Sequence, residues 1–103
     1  MKHAIAKVRW LDESAGGRRR PVTALQYMSP AVIGGDEDAA PWTLVVHRSR
    51  EEARAEETVL VHFLMDEAPH ERLQPGVGFR LTEGPRVTGE GVVSEVFELS
   101  AAA

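Results

Sequence analysis

Residues 79–93 read FRLTEGPRVTGEGVV, and this stretch predicts a strand, a tight turn and a second strand. Apolar Phe79 and Leu81 alternate with polar neighbours, which is the period of two that is typical of a half-buried strand. Gly84 and Pro85 then end the alternation, because glycine tolerates positive φ and proline has no backbone donor. Residues 92–99 are extended again and rich in β-branched side chains. We therefore expect the two strands to pair as the hairpin that closes the fold.

The rest of the chain consists of short extended segments separated by turns rich in Gly, Pro and Asp. The predicted strands cover residues 4–11, 22–27, 29–33, 42–47 and 58–65. This density of short strands predicts an all-β fold, either an antiparallel β-barrel or a sandwich.

Two of the connections carry most of the charge. Residues 34–41 and residues 48–57 are expected to be solvated loops. The second of these has high helix propensity but no apolar stripe, so we expect at most one turn of helix there.

Alternation within the strands also predicts which side chains face the interior. The expected core comprises Val8, Trp10, Leu44, Val46, Val59, Val61, Phe63, Phe79, Leu81, Val93 and Phe97. A register shift of one residue would exchange the two faces of a strand.

Composition limits the functional classes. The 103 residues are expected to form a single domain, 1–103, and they include no Cys, which excludes disulfide and thiolate chemistry. The first residues lack the apolar region of a signal peptide and no apolar run is long enough to span a membrane, so we expect a cytoplasmic protein without membrane contact. The net charge of −4 provides no global attraction to nucleic acid.

The closing hairpin resembles the C-terminal (third) β-barrel domain of the translation elongation factor Tu family. That family's last hairpin follows the pattern Glu-Gly-x-Arg-x-x-Gly-x-Gly-Val-Val, which is matched here by Glu83, Gly84, Arg86, Gly89, Gly91, Val92 and Val93. Its Gly-Gly-Arg-x-x-Pro turn is matched by Gly16, Gly17, Arg18 and Pro21. The resemblance implies a small antiparallel β-barrel of about six to eight strands. Since no phosphate-binding loop is present, neither a nucleotide nor another cofactor is expected.

The resemblance also directs attention to three arginines. Part of the aminoacylated tRNA is held by the surface of the family's third domain, near the position of Arg86. Arg18 and Arg20 belong to an arginine run, and guanidinium groups bind phosphate or carboxylate in a bidentate manner. We therefore predict Arg18, Arg20 and Arg86 as the candidate binding surface, although such a run also serves simply to keep a turn solvated.

No catalytic or metal-binding residue is predicted. No two of the four histidines have helical metal-site spacing, and their strands need not be adjacent. Asp66 and His70 bring an acid and an imidazole together in sequence, but no nucleophile motif accompanies them. His62 is expected to be a hydrogen-bonded histidine within its strand.

Three functional hypotheses follow. The first is a non-enzymatic module that contacts another protein through the loops of its barrel. The second is a tRNA-binding accessory protein of translation that uses the three arginines. The third, which has least support, is a small enzyme that uses His62 or the pair Asp66 and His70.

Overall fold

The computed structural model of the chain describes residues 1–35 and 40–99, which form a closed antiparallel barrel of six strands. The strands are β1 (Lys2–Trp10), β2 (Gln26–Ile33), β3 (Trp42–His47), β4 (Glu56–Phe63), β5 (Gly78–Glu83) and β6 (Arg86–Glu98). Around the barrel they follow the order β1-β4-β3-β2-β5-β6, and β6 pairs with β1 to close the ring. The predicted all-β barrel is therefore confirmed. The predicted acidic loop lies partly outside the described residues, because these do not include 36–39.

The closing hairpin is formed by β5 and β6. Its turn passes through Gly84, where φ is +58°. Residues other than glycine rarely adopt this backbone conformation. Phe79 pairs with Gly91, and a Cβ added to Gly91 would lie 2.2 Å from the Phe79 ring. The glycine therefore provides the space into which the aromatic ring packs.

The barrel interior contains most of the predicted core. Val8, Leu44, Val46, Val59, Val61, Phe63, Phe79, Leu81 and Val93 are buried. Trp10 is partly buried and packs against this cluster. The interior also contains Ala4, Ala6, Ala31, Ile33, Ala68 and Leu73, which the core prediction omitted.

Phe97 is on the opposite face from the one predicted. Ala6 pairs with Val93 but Ile5 pairs with Glu95, so one residue of β6 is left over at a β-bulge. A bulge of this kind reverses the alternation of faces along the strand. Beyond it Phe97 lies outside the barrel, where its ring stacks on His3 with centroids 6.1 Å apart.

The second predicted strand is also placed differently. Residues 22–25 are not part of a strand, and the two extended segments predicted on either side of residue 28 are a single strand, β2. Arg48 contacts this segment twice: its backbone N–H donates to the carbonyl oxygen of Leu25 at 2.6 Å, and its guanidinium donates to the carbonyl oxygen of Ala24 at 3.1 Å. Residues 22–25 are therefore held by individual contacts rather than by a strand ladder, although Val22 is buried.

Candidate binding cleft

A cleft of about 250 Å³ opens where the loop after β1 meets the loop between β3 and β4. We call it the loop cleft, and it is lined by Trp10, Leu11, Asp12, Arg18, Arg19, Pro21, Val22, Ala53, Arg54, Ala55 and Thr88. Val22 and Thr88 are buried, and Trp10 is half-buried. Arg19 and Arg54 are exposed. The loop cleft thus combines a largely apolar floor with a cationic rim.

The loop after β1 folds back on itself to form one wall of the cleft. A short 3-10 turn, Glu13–Ala15, reverses its direction. A Cβ at Gly17 would lie only 1.9 Å from the carbonyl oxygen of Leu11, so that only glycine fits there. The backbone N–H of Arg18 donates to this same carbonyl at 3.1 Å. The tight reversal carries the arginine run back to the barrel.

A buried ion pair holds the other wall. The Nε of Arg48 donates to Oε2 of Glu57 at 2.6 Å, and the two side chains are 0% and 6% exposed. The same guanidinium donates to the carbonyl oxygens of Ala24 and Glu52, at 3.1 and 2.7 Å. The prediction of a solvated charged loop over residues 48–57 is therefore wrong at both ends. Two charges can be buried there because they neutralise each other and most of their hydrogen-bonding capacity is used.

Trp10 connects this ion pair to the floor of the loop cleft. Its indole Nε1 donates to Oε2 of Glu57 at 2.6 Å. Its ring makes an edge-to-face contact with the ring of Tyr27, with centroids 5.4 Å apart and planes at 86°. Since Glu57 accepts hydrogen bonds from both Arg48 and Trp10, the floor of the loop cleft and the buried ion pair form one hydrogen-bonded network.

Tyr27 extends the network to the closing hairpin. Its hydroxyl donates to the carboxylate of Glu83. The Nε of Arg18 lies 3.2 Å from that carboxylate, and its Cζ lies 5.6 Å from the Tyr27 ring centroid. Burial and, secondly, the hydrogen bond to Glu83 raise the pKa of Tyr27. The phenol therefore remains a hydrogen-bond donor at neutral pH.

The three arginines predicted as a binding surface differ in their surroundings. Arg18 lines the loop cleft and pairs with Glu83. Arg86 is exposed and lies opposite Glu83 across the β5–β6 turn. Arg20 is exposed as well, and within residues 1–35 and 40–99 neither Arg20 nor Arg86 forms an ion pair. Sequence reasoning did not single out Arg54, because no local pattern places it beside a loop forty residues away.

Titratable groups in the loop cleft have little capacity for proton transfer near neutral pH. Asp12 is exposed, and its pKa is lowered by the hydroxyl of Ser14 and by the backbone N–H of Ala15. It is therefore ionised at neutral pH. Among the described lining residues there is no histidine, lysine or cysteine.

The pair Asp66 and His70 is connected through the backbone. The Nε2 of His70 lies 2.9 Å from the carbonyl oxygen of Asp66, so the aspartate carboxylate does not take part in this contact. The rings of His70 and Phe63 make an edge-to-face contact with centroids 5.6 Å apart. Neither residue lines the loop cleft. This geometry gives His70 a packing contact, and within the described residues its buried Nδ1 has no hydrogen-bond partner.

Three histidines from adjacent strands gather on the outside of the barrel. We call His3, His47 and His62 the imidazole cluster. They lie on β1, β3 and β4, and the order β1-β4-β3 places the strand of His62 between the other two. The ring centroid of His62 lies 4.6 Å from that of His3 and 5.0 Å from that of His47. The sequence did not predict this proximity, because it depends on strand order.

Electrostatics of the imidazole cluster favour the neutral ring at His47. Burial and then the neighbouring charges of His62 and His3 lower the pKa of His47. Within the described part of the chain, no group of three or more His, Cys, Asp or Glu side chains is arranged to hold a metal ion.

No protein-family model matches the chain, and no curated protein matches it in sequence. The likeness to the elongation factor Tu barrel therefore stays a prediction. Over residues 1–35 and 40–99, no helix has the length and apolar character needed to cross a membrane.

Proposed function

We propose that the protein is a non-enzymatic binding module of the cytoplasm that holds an acidic segment of another protein in the loop cleft. The observation that carries this proposal is the combination of an apolar floor around Trp10 with the exposed arginines 19 and 54. Loops on a rigid barrel are a usual place for binding residues.

The charge of the rim supports an acidic partner. Arg19 and Arg54 form no ion pair within the described residues, so their guanidinium groups are available to a ligand. Guanidinium groups bind carboxylates through two parallel hydrogen bonds. Because the chain as a whole has a net charge of −4, this local positive rim is a distinct feature that an acidic segment can recognise.

The floor supports an apolar anchor within that segment. A cleft of about 250 Å³ is large enough for one side chain but small for most free metabolites, whose pockets hold about 300–1,000 Å³. Interfaces gain most of their affinity from an apolar or aromatic side chain that fills such a site. The network through Glu57 holds Trp10 in place before a partner arrives, which reduces the entropy lost on binding.

The same features argue against catalysis in the cleft. Its described titratable groups are an ionised aspartate and arginines, and general acid–base catalysis needs a group that exchanges a proton near the working pH. The third hypothesis, an enzyme that uses His62 or His70, has no support from the contacts of His70.

The test compares two double variants of equal charge. Arg19→Gln/Arg54→Gln removes the rim, whereas Arg20→Gln/Arg86→Gln removes two exposed arginines outside the lining of the cleft. Each protein is titrated at low salt with a labelled peptide of Asp and Glu around one Leu, and separately with tRNA. We expect the first variant to lose peptide affinity and the second to keep it.

Each other outcome has a defined meaning. Equal loss in both variants would indicate nonspecific attraction and would refute the cleft. A protein that binds tRNA but not peptide, with binding lost in Arg20→Gln/Arg86→Gln, would replace the proposal by the tRNA hypothesis. That binding should also weaken steeply with added salt.

A further inference from the structure

The imidazole cluster contains a pair of histidines whose ring nitrogens face each other. The Nε2 atoms of His47 and His62 are 2.9 Å apart. The Nδ1 of His62 lies 2.9 Å from the carbonyl oxygen of Phe63. A carbonyl only accepts hydrogen bonds, so in the neutral form of His62 the proton is on Nδ1 and Nε2 carries a lone pair. The Nε2–H of His47 therefore donates to His62.

We propose that His47 and His62 form a binding site for a divalent transition-metal ion, with water completing the coordination sphere. The ion replaces the proton between the two Nε2 atoms, and that proton moves to Nδ1 of His47. This Nδ1 makes no hydrogen bond within the described residues. Imidazole is a preferred ligand of Zn²⁺, Ni²⁺ and Cu²⁺ and a poor one for Mg²⁺ and Ca²⁺.

The distance between the nitrogens is close to what such an ion requires. With metal–nitrogen bonds of about 2.0–2.1 Å, two ligands in a tetrahedral site are separated by roughly 3.3 Å, and two neighbouring ligands in a square-planar site by roughly 2.9 Å. The observed 2.9 Å thus needs little or no widening. The rings now point at each other, so one of them must turn to direct both lone pairs to a common point. Both rings are on the outer face and half-buried.

The surroundings of the pair also suit metal binding. Metal-ligating histidines usually donate their other ring N–H to a carbonyl or carboxylate, which fixes the tautomer and orients the ring. His62 already makes this contact with Phe63. His3 makes the same kind of contact, with its Nδ1 3.0 Å from the carbonyl oxygen of Met1, and its ring covers His62 from the side opposite His47. The site is independent of the loop cleft and of the function proposed for it.

The test uses the full chain without a polyhistidine tag, titrated calorimetrically with Ni²⁺, Zn²⁺ and Mg²⁺. We expect one Ni²⁺ or Zn²⁺ per chain and no response to Mg²⁺. His47→Gln and His62→Gln should each lose this binding, while His70→Gln, which removes a histidine outside the cluster, should retain it. Wild-type protein that binds neither ion, a His62→Gln variant that binds as the wild type does, or a His70→Gln variant that loses binding would each overturn the proposal.

A second measurement needs no variant and is therefore unaffected by misfolding. Traces of paramagnetic Cu²⁺ broaden the NMR signals of imidazoles that bind it. We expect the ring signals of His47 and His62 to broaden before that of His70. Equal broadening of all of the histidines would contradict a specific site.

Discussion

The loop cleft and the imidazole cluster are built by opposite means. In the cleft, a buried ion pair between Arg48 and Glu57 joins the two ends of the loop between β3 and β4, and Trp10 at the end of β1 donates a hydrogen bond to the same Glu57. In the imidazole cluster, strand order and register alone place three rings side by side. A site of the first kind should be sensitive to the loss of one buried contact. A site of the second kind should persist as long as the barrel closes.

The largest expected effect is the difference in stability loss between a substitution in the barrel interior and one on the outer face, which carries the imidazole cluster. Phe63 is fully buried, so Phe63→Ala should reduce the free energy of unfolding by about 3–5 kcal/mol. Phe97 lies outside the barrel, so Phe97→Ala should reduce the free energy of unfolding much less. Denaturant unfolding of both variants checks this. Similar losses would show that the bulge in β6 does not reverse the faces.

A comparable effect should follow from breaking the buried ion pair between Arg48 and Glu57. Glu57→Ala leaves the Arg48 guanidinium buried without its partner, which should cost about 3–5 kcal/mol. The matched control is Glu90→Ala, because the pair of Glu90 with Arg9 is exposed and such pairs contribute about 0–1 kcal/mol. Equal melting shifts in the two variants would mean that the buried pair does not hold the loop between β3 and β4.

Part of this architecture could be predicted from local pattern. The hairpin at residues 79–93 follows from Gly84, which permits the turn, and from alternation around Phe79. The bulge that turns Phe97 outward could not be predicted, because an extra residue in one strand is defined only against its partner.

The two sites show the same limit. Arg48 and Glu57 are the first and last residues of a charged run that resembles a solvated loop. Nothing in the local sequence indicates that these two residues form a buried ion pair. His3, His47 and His62 have no informative spacing in sequence, since what brings them together is the placement of β4 between β1 and β3. Both sites therefore depend on tertiary contacts, which the local sequence pattern does not reveal.

A smaller effect is expected at the glycine beneath Phe79. In Gly91→Ala the new methyl group would overlap the aromatic ring, and such overpacking should cost about 1–3 kcal/mol. Gly78→Ala is the control, since a Cβ there meets only the carbonyl oxygen of Gly91 at 3.6 Å. Thermal melts of the two variants distinguish a steric effect from a general effect of glycine replacement. Equal stability in the two variants would contradict the packing described for the hairpin.

The smallest effect concerns alkaline pH. The folded state raises the pKa of Tyr27 above its ordinary value of 10.0, so above that pH the unfolded chain loses this proton while the folded chain keeps it. The corresponding stability is fully present below pH 10 and is lost as the pH rises through the folded-state pKa. Tyr27→Phe should therefore lose less stability over that range than the wild type does.

Because Tyr27 is the only tyrosine in the chain, its phenolate absorbance reports its pKa directly. Titration of the folded protein should show a midpoint above that of the denatured protein. Coincident midpoints would contradict the burial of the Tyr27 phenol and its hydrogen bond to Glu83.

The claim that the loop cleft binds a partner is tested most directly at its floor. The chain contains two tryptophans, of which Trp10 lines the cleft and Trp42 does not, so the two indole N–H signals in an NMR titration report on the cleft and on an internal reference. On addition of the acidic, leucine-containing peptide, we expect the Trp10 signal to shift in a saturable manner while the Trp42 signal stays in place. A peptide that binds without moving the Trp10 signal, or that moves both signals equally, would contradict the account.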